Sequence, residues 1–155
     1  MKKRCLELKI PPVVVLAVVA ALMWLGSRVA PAAGFPMPAR FATALGFAVV
    51  GFGIAIAGVV SFRHAKTTVN PLKPEGASAL VTSGVYRLTR NPMYLGAMIA
   101  LVGWAVFLAN AVGVVFVPLF VPYMNLFQIG PEEKALASLF GKEFAVHRAK
   151  MRRWF

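Results

Sequence analysis

The sequence has few acidic residues and almost no cysteine. Its 155 residues include five acids, all of them glutamate, and one cysteine, Cys5, so an internal disulfide is excluded. Charged residues make up 14% of the chain, compared with about 25% in soluble domains. The chain also lacks a zinc-ligand spacing, a phosphate-binding P-loop and a Ser-His-Asp arrangement. These absences exclude an ordinary soluble domain and predict no metal site.

The abundant residues are apolar or basic. Hydrophobic residues make up 59% of the chain, and the mean hydropathy is +0.74. A soluble core of this size would not hide so much apolar surface, which indicates a membrane as the solvent. There are 17 Lys and Arg residues, and the net charge is +12. Because these residues fall between apolar runs, they indicate binding to anionic lipid headgroups and not to nucleic acid.

Three uncharged runs predict the architecture. Residues 10–27 and 41–62 each suit one membrane-spanning helix, and the 41 residues from 91 to 131 suit two, with a turn near residues 110–113. Small residues of the second run, such as Ala42 and Gly46, are predicted to let helices approach closely. We expect an all-α, polytopic membrane protein with about four transmembrane helices in one domain, residues 1–155. Residues 1–69 would hold two spans and the start of a basic loop; residues 70–155 would hold the remaining loop, a helical hairpin and a C-terminal helix.

The distribution of Lys and Arg predicts the orientation of the chain. With the N-terminus in the cytoplasm, 15 basic residues lie inside and two, Arg28 and Arg40, lie outside. We therefore expect a multi-pass protein of a bacterial inner membrane with both termini cytoplasmic. The first run also has the pattern of a signal peptide, so it is either retained as a span or cleaved. Its removal would not change the orientation of the rest.

Two prolines in the fourth predicted span indicate a bend. Pro118 and Pro122 remove backbone donors, and the bend either shapes packing only or opens a polar cavity towards the cytoplasm. Tyr123, Asn125 and Gln128 would line that cavity. We predict Asn125 and Gln128 as substrate contacts.

The C-terminal segment is predicted to form an amphipathic cytoplasmic helix. Pro131 and the two glutamates after it suit a first helical turn, and Gly141 suggests a bend. Apolar side chains recur at helical spacing, and the opposite face is basic. The recurring residues are Leu136, Leu139, Phe140, Phe144, His147, Met151 and Trp154.

The third uncharged run begins with an unusual polar stretch, LVTSGVYRLTRNPMYLG, at residues 80–96. Asn91 and Pro92 suit a helix start, as cap and first residue. Tyr86 and Tyr94 suit the headgroup level of a membrane, and Arg90 suits a lipid phosphate. Each residue alone therefore has an ordinary structural explanation.

Glu132 and Glu133 change this interpretation. The helical hairpin should place them beside the polar stretch, because its two ends lie side by side. Aromatic rings attract sulfonium or ammonium cations, and carboxylates bind ribose hydroxyls or amino groups. Together the groups predict a pocket for a cationic or zwitterionic, nucleotide-like molecule.

The two segments SALVTSGVYRLTRNPMYLG and EEKALASLFGKEF resemble the isoprenylcysteine carboxyl methyltransferase and phospholipid methyltransferase superfamily. Its members are integral membrane enzymes that use S-adenosylmethionine. The family pattern is G-x-Y-x-x-x-R-H-P-x-Y followed, after a helical hairpin, by a Glu pair and F-G-x-x-Y. The resemblance covers residues 70–155. It implies an S-adenosylmethionine-dependent methyltransferase that acts on a lipid-soluble or amphipathic acceptor at the cytoplasmic membrane face.

The resemblance also suggests roles for individual residues. Arg90, Tyr94 and Glu132 are expected to be catalytic. The expected cofactor contacts are Leu80, Val81, Tyr86, Asn91, Pro92, Tyr94, Glu132 and Glu133. The resemblance does not choose the methylated atom among O, N and S.

The chain departs from the family pattern at several positions. Asn91 replaces the histidine of the pattern, so this residue binds through hydrogen bonds but does not titrate. Gln128 replaces an arginine that is implicated with the substrate in the carboxyl methyltransferase branch. A neutral amide holds a carboxylate less strongly than a guanidinium does, which weakens the case for a carboxylate acceptor. Phe144 and His147 stand where tyrosines are frequent.

Two other functions stay open at this point. A non-catalytic membrane protein could use the same basic loops to bind anionic lipid or a partner. A nicotinamide-dependent membrane reductase has a related C-terminal architecture, although this chain is short for that class.

Overall fold

The structure is a computed structural model that describes residues 7–29, 34, 36–68 and 70–155. The described residues form helices, turns and loops without any strand, so the all-α prediction is confirmed. Cys5 lies outside the described residues. The domain boundaries stay a prediction.

Five α-helices follow one another along the described chain. They are α1 (Pro12–Ser27), α2 (Met37–His64), α3 (Pro92–Leu108), α4 (Ala111–Met124) and α5 (Gly130–Lys150). A π-helical turn, Asn125–Ile129, joins α4 to α5. The loop between α2 and α3 holds two short 3₁₀ turns, Pro74–Gly76 and Gly84–Arg87.

Two of the helical segments are long and apolar enough to cross a membrane. They are α2, with 28 residues, and the continuous helix Ala111–Lys150, with 40 residues, while α1 and α3 are shorter apolar helices. On α2, Val49, Val50 and Ile56 point outwards and are exposed. Apolar side chains on the outside are typical of lipid-facing helices. These features define a helical membrane protein, and the number of four crossings stays a prediction.

The predicted hairpin is present, and its turn is where the sequence indicates. Ala109 ends α3 in the left-handed conformation with φ of 47°. The Asn110 side chain then caps α4 by accepting hydrogen bonds from the amides of Val112 (3.0 Å) and Gly113 (3.4 Å). This turn places the start of α3 and the end of α4 side by side.

Small residues let α2 and α3 pack closely, but the residues in contact differ from the pair that the sequence suggested. Gly51 and Gly96 face each other at backbone contact, and Ala55 packs on the same side. Gly46 has open space around it, and Ala42 is exposed. The prediction for the Ala42/Gly46 pair is therefore wrong, because that pair lies on the outward face of α2.

The first helix is part of the core. Met23 of α1 is fully buried, and the indole nitrogen of Trp104 in α3 donates to the carbonyl of Ala20 at 3.0 Å. These contacts make α1 a packed element of the helical core.

Pro131, Glu132 and Glu133 lie in the first turn of α5, as the sequence predicts, but α5 follows directly from the π-turn instead of starting after a loop. In the π-turn the amide of Gly130 donates to the carbonyl of Asn125, one residue further back than in an α-helix. The wider turn accommodates the missing donor of Pro131. The amphipathic helix also ends at Lys150 rather than including Met151 and Trp154.

Gly141 bends α5, as the sequence suggests, and its conformation leads to a prediction. Its φ of 45° and ψ of −113° are unfavourable for residues with a Cβ. We expect Gly141→Ala to lower the unfolding free energy by about 2 kcal/mol. Gly53→Ala is the matched control, because this exposed α2 glycine has open space around it and helical backbone. The two variants are to be compared by denaturant titration in detergent, and equal stabilities would contradict a required bend.

Candidate active site

A polar cavity lies between the loop, the start of α3 and the first part of α5. Its volume is about 50 Å³. Seven predicted cofactor residues line it, together with Arg90, while Pro92, Asn125 and Gln128 do not. Among the described residues, the lining is Phe62, Ala77, Ala79, Leu80, Val81, Tyr86, Arg90, Asn91, Met93, Tyr94, Glu132, Glu133, Leu136, Phe144 and His147.

A hydrogen bond between α3 and α5 closes one side of this cavity. The Tyr94 hydroxyl donates to a carboxylate oxygen of Glu132 at 2.9 Å. Tyr94 is buried in the first turn of α3, and Glu132 lies in the first turn of α5. The hairpin therefore brings together the two residues that the sequence predicted as neighbours.

Aromatic rings form the loop side of the cavity. Tyr86, in the second 3₁₀ turn, packs edge-on against Phe62 at the end of α2, with ring centroids 5.5 Å apart. Burial raises the pKa of the Tyr86 hydroxyl above its ordinary value, and the charge of Glu132 raises it further. Tyr86 therefore stays protonated at neutral pH and is available as a donor and as a ring surface.

Glu133 is the centre of an ion cluster. Its carboxylate binds the Arg90 guanidinium at 2.9 Å and accepts two hydrogen bonds from Arg153, at 3.0 and 2.6 Å. The bonds to Glu133 raise the pKa of Arg153. Burial lowers the pKa of Arg90, and Glu133 opposes that effect. Both oxygens of Glu133 are thus used by arginines, which makes it a structural anchor of the cavity wall.

The last residues of the chain dock on the turn before α3. The Arg153 carbonyl accepts hydrogen bonds from the Thr89 hydroxyl (2.8 Å) and the Asn91 side chain (3.1 Å). Arg90 donates its backbone amide to the Arg152 carbonyl at 2.9 Å. Asn91 therefore does not cap α3 with its side chain, as the sequence suggested, although Pro92 is the first helical residue. The side chain holds the C-terminal segment instead.

Arg90 has one unsatisfied group. Its Nε is buried and has no hydrogen-bond partner among the described residues, while one terminal nitrogen donates to the Arg148 carbonyl at 3.0 Å. An unpaired buried donor on a cavity-lining residue is unfavourable unless a ligand or water satisfies it. Arg90 is therefore able to donate a hydrogen bond to a polar ligand while it also binds Glu133.

The predicted substrate residues make contacts elsewhere. The Gln128 amide donates to the Pro71 carbonyl at 2.9 Å, and Asn125 accepts from the Trp154 indole at 3.2 Å. Gln128 is buried. These two side chains therefore pack within the bend of the hairpin. Their hydrogen bonds connect the loop and the C-terminal segment to the π-turn.

A second cavity adjoins the polar one. Its volume is about 380 Å³, and its lining, drawn from α1, α2, α3, α4 and the loop, holds no charged side chain among the described residues. Met93 and Tyr94 line both cavities. The first turn of α3 therefore separates a polar space from an apolar one.

Sequence reasoning missed several residues of this site. Arg153 was treated only as a basic residue of the tail, yet it binds Glu133. The sequence predicts Phe144 and His147 only as recurring residues of the amphipathic helix and as departures from the family pattern, and it does not single out Met93, yet all three line the polar cavity. Phe144 and His147 are one turn apart along α5, and this spacing is the sequence feature that could have placed both at the site.

The fold and the paired cavities define a helical membrane protein with a polar site at one end of an apolar space. The sequence profile of the family described as phospholipid methyltransferase matches residues 39–143, and the chain belongs to this family. The resemblance stated from the residues is confirmed.

Individual relatives agree with this assignment. An uncharacterized protein of Haemophilus influenzae is 39% identical over 62 residues, which are 40% of this chain and 98% of that protein. A probable protein-S-isoprenylcysteine O-methyltransferase of Oryza sativa subsp. japonica is 33% identical over 103 residues, 66% of this chain and 54% of that protein. Protein-S-isoprenylcysteine O-methyltransferase A of Arabidopsis thaliana is 34% identical over 96 residues, 62% of this chain and 49% of that protein. The chain spans about half the length of these plant relatives. No solved structure matches it.

Proposed function

We propose that this chain is an S-adenosylmethionine-dependent methyltransferase that acts on a lipophilic or amphipathic acceptor at the cytoplasmic membrane face. The observation that carries the proposal is the junction at Tyr94, where a polar cavity with a carboxylate meets an uncharged, apolar cavity. A polar, nucleoside-containing methyl donor and an apolar acceptor need two such adjoining spaces. Membership of the phospholipid methyltransferase family supports the same activity.

The residues of the polar cavity fit the chemistry of the cofactor. S-adenosylmethionine carries an adenosine, an amino acid group and a sulfonium, and it supplies an activated methyl group when bound. Aromatic faces such as Tyr86 attract cations, and Glu132 can accept from an amino or ribose hydroxyl group. The unpaired Nε of Arg90 can donate to the carboxylate of the cofactor.

The small volume of the polar cavity sets a condition for cofactor binding. At about 50 Å³ it holds a few water molecules, whereas small-molecule sites commonly measure roughly 300–1,000 Å³. Binding therefore requires this cavity to widen. Closure afterwards would exclude water and hold the reactants in line, which are the main contributions that a protein makes to methyl transfer.

Calorimetry on the detergent-purified protein tests this function. We expect saturable binding of S-adenosylmethionine, weakened about tenfold or more by Glu132→Gln and by Tyr94→Ala, because a hydrogen bond to a charged group contributes roughly 1.5–3 kcal/mol. Glu143→Gln is the matched control, since Glu143 is an exposed acid of the same helix and does not line the cavity. No binding at millimolar cofactor by folded protein would refute the proposal and favour a lipid-binding role.

A further inference from the structure

A third cavity lies between the second 3₁₀ turn and the last part of α5. Its volume is about 630 Å³, which falls within the roughly 300–1,000 Å³ that is common for small-molecule sites. Tyr86 and His147 line both this cavity and the polar one, so the two are neighbours. We call it the basic cavity, because it is lined by cations that the site described above does not use.

Two basic side chains of this lining are without partners. Arg87 ends the 3₁₀ turn, Lys150 ends α5, and both are exposed. In the described part of the chain neither makes an ion pair or a side-chain hydrogen bond. Glu143 also lines the cavity, but it forms no ion pair with either of them. The exposed hydroxyl of Thr82 adds a hydrogen-bond donor, so the lining suits an anion.

The position of the basic cavity in the fold matches the headgroup level of a membrane. The 3₁₀ turn ends shortly before α3, an apolar helix that begins at Pro92. The end of α5 returns to the same level, because the Arg152 carbonyl accepts a hydrogen bond from the Arg90 amide at 2.9 Å. Cations placed just before an apolar membrane helix lie among the phosphates of the lipids.

Apolar side chains beside these cations favour a lipid over a free phosphate. Leu88, next to Arg87 in the chain, is 76% exposed, and Val146, which lines the cavity, is 55% exposed. Exposed apolar groups next to basic ones are typical of segments at the boundary between headgroups and acyl chains. A lipid covers such side chains with its hydrocarbon, whereas a free phosphate leaves them in water.

We propose that the basic cavity binds the headgroup phosphate of an anionic phospholipid. Arg87 and Lys150 supply the opposite charges, and Thr82 donates a hydrogen bond. The bound lipid holds the part of α5 beyond the bend at Gly141 against the membrane surface. This site is separate from the spaces assigned to the cofactor and the acceptor, and the proposal does not depend on the methyltransferase function.

Calorimetry in uncharged detergent, without S-adenosylmethionine, tests this proposal. The protein is titrated with short-chain phosphatidylglycerol, with phosphatidylcholine of the same chains, and with free glycerol phosphate. We expect saturable binding of phosphatidylglycerol, at least about tenfold tighter than binding of the other two. The choline of phosphatidylcholine balances the charge of its phosphate, and glycerol phosphate has no chains to cover the apolar side chains.

Two double variants show whether the basic cavity causes this binding. Arg87→Gln with Lys150→Gln should weaken phosphatidylglycerol binding by about tenfold or more. Arg63→Gln with Lys142→Gln is the matched control, since it removes the same charge from exposed residues that do not line the cavity. The control should stay within about twofold of the wild type, because charges far from the headgroup are screened. Circular dichroism checks that all variants are folded.

Each of three results would overturn the proposal. Equal binding of phosphatidylglycerol and phosphatidylcholine would mean that the protein does not select an anionic headgroup. Glycerol phosphate binding as tightly as the lipid would make this a site for a soluble phosphate. An equal loss of affinity in the two double variants would assign the binding to net charge and not to this cavity. The first two comparisons use the wild type and do not depend on how the variants fold.

Discussion

Replacing Glu133 with alanine is expected to lower the unfolding free energy by about 3 kcal/mol, near the lower end of the range for breaking a buried ion pair. The side chains of Glu133 and Arg90 are only 10% and 11% exposed, so the variant leaves a guanidinium buried without its anion. Arg153 is 36% exposed and regains water contacts, which keeps the loss from being larger. A denaturant titration in detergent measures the difference.

The same substitution should release the C-terminal segment from the turn before α3. Arg153 connects the two through its side chain on Glu133 and its carbonyl on Thr89 and Asn91. We expect faster amide hydrogen exchange at residues 151–155 in Glu133→Ala than in the wild type, because their docking depends on this anchor.

Two further variants make this prediction specific. Glu133→Gln keeps the size and one acceptor of the side chain, so it should lose less stability than Glu133→Ala. Glu143→Gln changes an exposed acid on the same helix and should stay within about 0.5 kcal/mol of the wild type. If Glu133→Ala were as stable as Glu143→Gln, with unchanged exchange in the tail, Glu133 would not be the anchor that its three short contacts indicate.

The helices were predictable because their signal is local. Long uncharged runs bounded by basic residues require helices in a membrane, and the Ala109–Asn110 turn follows from a polar residue at the middle of the longest run. The continuity through Pro131 was not predictable in the same way. It involves a π-turn at Asn125–Ile129, where Gln128 and Asn125 also make contacts to residues far away in the sequence, and helical periodicity does not encode either feature.

The site was predictable to the extent that chain topology determines it. A hairpin has to bring its two ends together, so the contact of Tyr94 with Glu132 follows from the sequence once the hairpin is recognised. The roles of Glu133 and Asn91 were harder to predict, because both depend on where residues 151–155 return to the fold. Periodicity carries no information about a non-helical segment after Lys150.

Replacing Gly51 with valine is expected to disrupt the packing of α2 on α3. A Cβ at residue 51 would overlap the Gly96 carbonyl and lie 3.0 Å from the backbone nitrogen of Ala100. Backbone atoms do not rotate out of the way as side chains do, so the two helices must separate. We expect an unfolding free energy lower by about 3 kcal/mol, at the upper end of overpacking costs, and a smaller loss for Gly51→Ala.

Gly46→Val is the matched control for this prediction, since it changes the same residue type on the same helix at an outward position with open space. It should stay within about 0.5 kcal/mol of the wild type, apart from the modest helix preference of valine over glycine. Both variants keep the hydropathy needed for membrane insertion, so a difference between them reports helix packing. Equal stability of Gly51→Val and Gly46→Val would mean that α2 and α3 are not in backbone contact. The first turn of α3 would then lack the support that holds Tyr94 between the two cavities.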